Sequence, residues 1–402
     1  MKSIKSFMAA TSVALFLFSC EKNIQNTAKE EEVATLKTSS INLQSKKGIA
    51  GYVYTLSNQT AGNKVLVYSR TSEGTLSYVT AYPTGGTGTG GGLGNQGAIT
   101  LSGNSDSHRS DGDQSEGDHE NDLLLAVNPG SNSVSSFKVS GGGLQLVSTV
   151  SSGGTTPVSV TMHNDIVYVL NSGGSGNISG FMLHADGSLH PIANSTRPLS
   201  SASAGAAQVS FVADGNAVAI TEKATNKIIT YTINSQGIPG MMHSLTSAHP
   251  TPFGFAVGGN GNIFVSEAAG GAPGASALSS YHINDNGTIA LVDGPVGANQ
   301  SAACWVVLTN NGKYAYTTNT ASNNLSTFRV NSSGSISVLN AISATTETGP
   351  IDAALSNNSK FLYVLNSGSH SIGVYEVDNK GSLSSVQTVP GLPAGATGLA
   401  SK

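Results

Sequence analysis

The sequence predicts an all-β protein made of many short strands, and three observations carry that prediction. Its 19 basic and 23 acidic residues make 42 charges in 402 positions, about 10%, where about a quarter is usual. Long solvated helices need Glu and Lys on their outer faces, so this scarcity argues against them. There are 49 glycines, about 12% where about 7% is usual, which suits tight turns between strands. Finally, Val, Ile, Tyr and Phe cluster at regular intervals, which a disordered Gly/Ser-rich chain lacks. A formal charge of −4 with no long basic tract leaves little to neutralise phosphates, so nucleic acid is not an expected partner.

Residues 1–19 read as an export leader. Lys2 and Lys5 are followed by the apolar stretch 7–18, FMAATSVALFLF. Twelve residues fall short of the roughly 20 that span a bilayer as a helix. The stretch ends in Leu17-Phe18-Ser19-Cys20, which resembles the lipobox of bacterial lipoproteins. That resemblance implies cleavage before Cys20, its acylation, and a lipid-anchored location at the periplasmic or outer surface of the cell envelope. Residues 20–48 are then a polar tether containing Glu30-Glu31-Glu32, and with Cys20 acylated Cys304 is the one thiol left. The lipid is the only expected membrane contact, and a monomer is the expected state.

Residues 49–402 carry a sevenfold repeat. A strand pattern returns as YVYTLSN (52–58), LLLAVN (123–128), IVYVLN (166–171), AVAITE (217–222), NIFVSE (262–267), YAYTTN (314–319) and FLYVLN (361–366). Each is followed by a second β-rich run, such as KIITYTI (227–233), and then a glycine-centred turn. The glycines are Gly74, Gly142, Gly187, Gly237, Gly287, Gly334 and Gly381, at spacings of 68, 45, 50, 50, 47 and 47 residues. Five of the six spacings suit a four-stranded blade of roughly 40–50 residues, so the pattern predicts a seven-bladed β-propeller. Runs poorer in bulk, such as GAAQVSF (205–211) and GPIDAALS (349–356), are the expected inner strands, crowded round the axis. Residue 52 opens on a second strand, whereas AGATGLASK (394–402) resembles an inner strand without partners. Their union would close blade one from both termini and remove an open edge.

The YVLN-type strand ends, the Asp-Gly-x-Leu hairpins and the runs LGNQGA (93–98), ITEKATN (220–226) and YTTNTASN (316–323) resemble the bacterial seven-bladed propeller lactonases. That family includes the 6-phosphogluconolactonases and is related to the carboxymuconate lactonizing enzymes. The resemblance covers residues 50–402 and implies a lactone-opening hydrolase. In the phosphogluconolactonase branch one inner strand opens with Pro-His-Ser and the next with Pro-Arg-His. Here those places read Pro157-Val158-Ser159 and Ala206-Ala207-Gln208, while the following glutamate is kept as Glu222. Losing the His and the Arg-His pair points away from phosphorylated sugar lactones.

Lactone opening needs an activated water and donors for the developing oxyanion. Strand-end residues of a propeller ring one mouth of its channel. Glu222 is therefore the candidate general base and Glu267 the second acid or a metal ligand. Gln96, Asn171, Gln208 and Asn366 are candidate substrate hydrogen-bonders, Asp352 faces the funnel from an inner strand, and Lys223 is placed to polarise a carbonyl. Trp305, the sole tryptophan, either stacks on a sugar ring or fills space between blades. The competing reading of the Asn and Glu positions is that they cap turns. Under it the protein is a non-catalytic propeller binding polysaccharide or a protein partner. No cofactor is required, although residues 103–122 hold seven carboxylates, His108 and His119. There Asp111, Asp113 and Ser115 echo half a calcium loop, with Gly117 one place late and Asp122 in the twelfth position. That leaves room for a divalent cation, against the alternative of a solvated acidic insertion.

Overall fold

The computed structural model describes residues 48–102 and 122–402 of the chain. The leader, Cys20 and nearly all of the acidic insertion lie outside the described residues.

Seven antiparallel sheets follow one another in chain order. Six have four strands, and the third has its outermost strand in two pieces. The sequence placed five of the seven second strands residue for residue: Ile166–Asn171, Ala217–Glu222, Asn262–Glu267, Tyr314–Asn319 and Phe361–Asn366. In blade two the strand is Asp122–Asn128. In blade one it is Ile49–Leu56, leaving Asn58 beyond it in the left-handed region at φ 49°. All seven hairpin glycines named above have φ between 71° and 87°. At Gly142 a Cβ would also lie 2.0 Å from the Tyr52 ring, so both conformation and space demand glycine there.

The ring closes as the sequence predicts. The C-terminal strand Thr397–Ser401 pairs with Ile49–Leu56, giving blade one an inner strand from one terminus and three strands from the other. Tyr52 N–H donates to Lys402 O at 3.0 Å, and Lys402 N–H returns the bond to Tyr52 O at 2.8 Å. The Lys402 ammonium pairs with Asp122 of blade two.

Two blades are irregular for visible reasons. In blade three the outer strand is split into Leu189–Pro191 and Arg197–Pro198, whose prolines have no N–H for the ladder. Ser195 fills the gap: its Oγ accepts the Gly180 N–H at 3.0 Å. In blade two the inner strand is only Ile99–Leu101, because the residues before it turn into the ring's centre.

The core lies between blades rather than within one layer. Tyr168 and Leu170 of blade three pack with Val218 and Ile220 of blade four. Ala219 and Ile228 pack in turn with Ile263 and Val265 of blade five. Hydroxyls of these layers reach the next blade's hairpin: Tyr168 donates to Gly237 O at 2.7 Å and Tyr316 to Gly381 O at 3.1 Å. Register pairs each inner strand's start with the second strand's end, as in Pro157 with Asn171 and Ala206 with Glu222. All predicted Asn and Glu positions therefore lie toward one face of the ring, opposite the glycine hairpins.

Removing residues 394–402 should strip blade one of its inner strand and expose an unpaired edge beside blade seven. Urea denaturation should show a loss of about 5 kcal/mol or more, a large part of a domain's usual 5–15 kcal/mol. An unchanged midpoint would contradict closure by this strand.

Candidate functional site

Glu222 and Glu267 are fully buried, and each carboxylate is held by a crossover that brings the chain from the previous blade. Glu222 accepts the Ser200 N–H at 2.8 Å, the Thr225 hydroxyl at 2.5 Å and the Ser200 hydroxyl. Glu267 accepts the hydroxyls of Ser247 and Ser279, both at 2.6 Å, of Tyr281 at 2.8 Å, and the His249 N–H at 3.1 Å. Burial, with Glu267 alongside, pushes Tyr281 up to about 12, so it stays a donor. This geometry has the form of the capping role, and neither carboxylate is open to water.

The amides in the same slot do related work. Asn171 Nδ2 donates to Ser152 O at 3.1 Å and to Asn177 Oδ1 at 2.8 Å. Asn366 Nδ2 makes longer bonds to Ser371 Oγ at 3.4 Å and Val364 O at 3.5 Å. Both are fully buried within their own junctions and are not brought to a shared centre.

Gln96, Lys223 and Trp305 do converge, with Gln208 on the same layer, round a segment of the chain itself. Residues Gly94–Gly97 cross the axis of the ring. Gly94 O accepts from Lys223 Nζ of blade four at 2.6 Å. Asn95 O accepts from Trp305 Nε1 of blade six at 3.0 Å. Gln96 N–H donates to Ala207 O of blade four at 3.2 Å, and Gly97 O accepts from Val160 N–H of blade three at 2.8 Å. The Gln96 amide reaches Val306 of blade six, donating to its O at 3.1 Å and accepting its N–H at 3.4 Å. Blade five makes room with Gly254, where a Cβ would lie 2.0 Å from Gln96 Oε1.

Trp305 is 2% exposed, with Phe253 5.0 Å away ring to ring and Lys223 Nζ 4.6 Å from the Phe253 centroid. As placed, Trp305 fills space and holds the Gly94–Gly97 segment; it offers no open face to a sugar. Gln208 pairs with both backbone groups of Phe255 in blade five, at 2.6 and 3.0 Å. Asp352 is buried at the seam with blade one, where its Oδ1 accepts the Ala353 N–H at 2.8 Å and its Oδ2 has no hydrogen-bond partner. Burial holds its carboxyl well above the usual carboxylate range, partly offset by the nearby backbone N–H groups of Ala353, Leu399 and Gly398. Cys304 is fully buried, which keeps its sulfur from a substrate.

Among the described residues no three His, Cys, Asp or Glu side chains stand together to hold a metal ion. A recess of 280 Å³ on the hairpin face, lined by Thr232, Pro239 and Asp285 among others, takes in none of the candidates. Sequence reasoning missed Asn95, Phe253 and Gly254. LGNQGA was singled out as a run, but nothing in it shows a partner 210 residues away.

Comparison with known proteins agrees with this architecture. The family model described as Lactonase, 7-bladed beta-propeller matches residues 282–397, from blade five to the closing strand. The resemblance read from the sequence is borne out over that span. No curated protein matches the chain by sequence. Among solved structures, a candidate 6-phosphogluconolactonase from Bacteroides fragilis is 17% identical, with a TM-score of 0.65 over 88% of this chain and 98% of its own. The periplasmic gluconolactonase of Pseudomonas aeruginosa is 17% identical, with a TM-score of 0.63 over 86% and 98%. At such identities the likeness shows the seven-bladed fold.

The Asp352 carboxyl gives a pH test. Its raised folded value means that stability from this group is complete below the ordinary Asp value, near 4, and is lost as pH rises through the folded value. Asp352→Asn, neutral throughout, should therefore be more stable than wild type at pH 7.5, with the gap closing by pH 4. A gap that does not change with pH, in urea titrations of both proteins, would show that this carboxyl does not titrate as argued.

Proposed function

We propose that this protein is a lactonase-like hydrolase, attached to the cell envelope, that opens a small unphosphorylated lactone on the ring face bearing Glu222, Lys223 and Trp305. The observation that carries the reading is Lys223, whose ammonium sits 2.6 Å from a carbonyl oxygen at the channel mouth, one residue from Glu222. A cation so placed polarises a lactone carbonyl and stabilises the oxyanion formed when water adds. The match to the propeller lactonase family and the fold of a gluconolactonase support it. Ala207 and Gln208 are uncharged and buried, and Arg197 is held by carbonyls of Asn194, Thr196 and Pro239. This fits substrates without a phosphate. For Glu222 to act as the base, the Ser200 crossover must open to admit water.

A second reading, a propeller that binds a carbohydrate without reaction, is favoured by the full complement of donors on Glu222 and Glu267. Glu222→Gln separates the two. As a general base, Glu222 should contribute about 10²–10⁴-fold to turnover, read as acid release from a panel of unphosphorylated sugar lactones. As a cap only, the variant should keep wild-type turnover and lose about 1–3 kcal/mol of stability. Equal turnover removes Glu222 from the mechanism, and no acid release from any lactone by the wild type removes the hydrolase.

Attachment rests on Cys20. With Cys20 acylated, Cys304 is the one thiol left in the anchored protein. The mature wild type should fractionate with membranes and show one reactive thiol when denatured without reductant. Cys20→Ala should be released or left uncleaved. A soluble mature protein beginning at another residue would refute the anchor.

A further inference from the structure

The Gly94–Gly97 segment is bound as a ligand would be. Successive carbonyl oxygens, of Gly94 and Asn95, are gripped by a lysine ammonium and an indole N–H from two different blades. Both donors stand on the ring face already argued to hold the site. The segment is fed by a run in which Gly85, Gly86, Gly88, Gly90, Gly91, Gly92 and Gly94 fall within ten residues. Gly91 and Gly92 have nothing within 4 Å of a built Cβ. Gly90, Gly91 and Gly92 are exposed, while Gly94, Gln96 and Gly97 are half-buried. The open space in this approach is confined to Gly91 and Gly92, since Gly88 and Gly90 donate their N–H groups to Gln59 O and Asn58 O at 2.8 Å and Gly91 O accepts Asn58 Nδ2 at 2.6 Å. A short anchored strand, Ile99–Leu101, follows on the far side.

We propose that Gly94–Gly97 is a displaceable plug, and that Lys223 Nζ and Trp305 Nε1, which it occupies at rest, are the recognition donors for the ligand. That ligand is a small oxygen-rich lactone or hydroxy acid, with two acceptor oxygens spaced as on successive peptide carbonyls. The inference rests on the ring face being the binding site and does not require that the bound molecule react. Displacement breaks no covalent bond. The ligand's oxygens replace the Gly94 and Asn95 carbonyls; the Gln96 side chain leaves Val306, its backbone N–H leaves Ala207 O, the Asn95 amide leaves Val158 O and Gly97 O releases the Val160 N–H. Resting occupancy lowers the apparent affinity by the fraction of molecules with the plug out, so loosening the plug strengthens binding. A structural strut would do the reverse, because loosening it would disorder the donors.

The sole tryptophan reports on the plug directly, since its indole N–H bonds to Asn95. D-Glucono-1,5-lactone and D-gluconate should each change Trp305 emission saturably in the full-length protein. Gln96→Ala should lower the half-saturating concentration about tenfold, and Lys223→Gln should raise it about tenfold. Without ligand, hydrogen exchange at the amides of Gln96 and Val160 should proceed through a local opening. It should run at least about a hundredfold faster than at Val209, in the middle of an inner strand. Exchange of all three only with global unfolding overturns the plug, and this holds even if Gln96→Ala fails to fold. Emission unmoved by either probe in folded wild type, or weaker binding by Gln96→Ala, overturns it as well. Saturable emission change without acid release leaves the plug standing and removes only the hydrolase.

Discussion

Seven sheets arranged round an axis share no backbone ladder where they meet, and that constraint organises the molecule. Inner strands converge but are splayed by the ring, so few of their N–H and C=O groups pair directly from blade to blade, Val160 N–H with Gly97 O and Gln96 N–H with Ala207 O being two that do. Buried and unpaired, each such group would cost about 1–3 kcal/mol. Side chains stand in for the missing rungs. Ser159 Oγ accepts the Val209 N–H at 3.2 Å between blades three and four. Gln208 pairs with both groups of Phe255 between blades four and five. Ser266 donates to Cys304 O at 2.8 Å between blades five and six. Where blade seven meets blade one the seam is left incomplete: Asp352 is buried there with Oδ2 unpaired. The last seam is also where the termini join, so an under-satisfied carboxyl sits at the point of closure.

The outer junctions obey the same logic and explain a difference that looked catalytic in the sequence. The last residue of the second strand receives the crossover from the preceding blade. In blades four and five that crossover offers hydroxyl and N–H donors, from Ser200, Ser247 and His249, and a carboxylate accepts them. In blade three it offers the Ser152 carbonyl, and Asn171 donates to it. In blade two Thr84 donates to Asn128 Oδ1 at 2.6 Å while Asn128 Nδ2 serves Ser135. In blades three to five the choice of glutamate or asparagine thus matches what the crossover presents, whereas Asn319 and Asn366 bond within their own blades. A carboxylate at a position where other blades carry an amide has an ordinary structural cause, whatever further role Glu222 has.

The fold was legible because a blade is local. Strand alternation, positive-φ glycines and a 45–50-residue period lie within one unit, and five second strands were placed to the residue. Blade three's broken outer strand was not legible, since it depends on Ser195 replacing a rung that Pro191 and Pro198 cannot supply. The site was harder still. Gln96, Gln208, Lys223 and Trp305 were chosen for their chemistry, yet what assembles them is a segment that crosses the ring to blade six. No period or spacing encodes a contact between residues 95 and 305. Asp352 was expected to face the funnel, and it lies fully enclosed at the seam of blades seven and one with Oδ2 unpaired.

Gln96 and Gln208 bring these threads together. Both use a side-chain amide to imitate a β-ladder rung, pairing with the N–H and C=O of one distant residue. Gln208 links neighbouring blades, so its geometry is fixed by sheets already packed against each other. Gln96 links blade two to blade six across the axis, where no packing between those blades holds the distance. Its bonds are correspondingly longer, 3.1 and 3.4 Å against 3.0 and 2.6 Å. A rung between packed neighbours only stabilises. A rung across an axis also excludes whatever else would occupy the axis, so its hydrogen bonds compete with those of any ligand there. The same residue type therefore locks packed neighbours together in one position and spans the axis in the other, and the difference lies in what surrounds the rung.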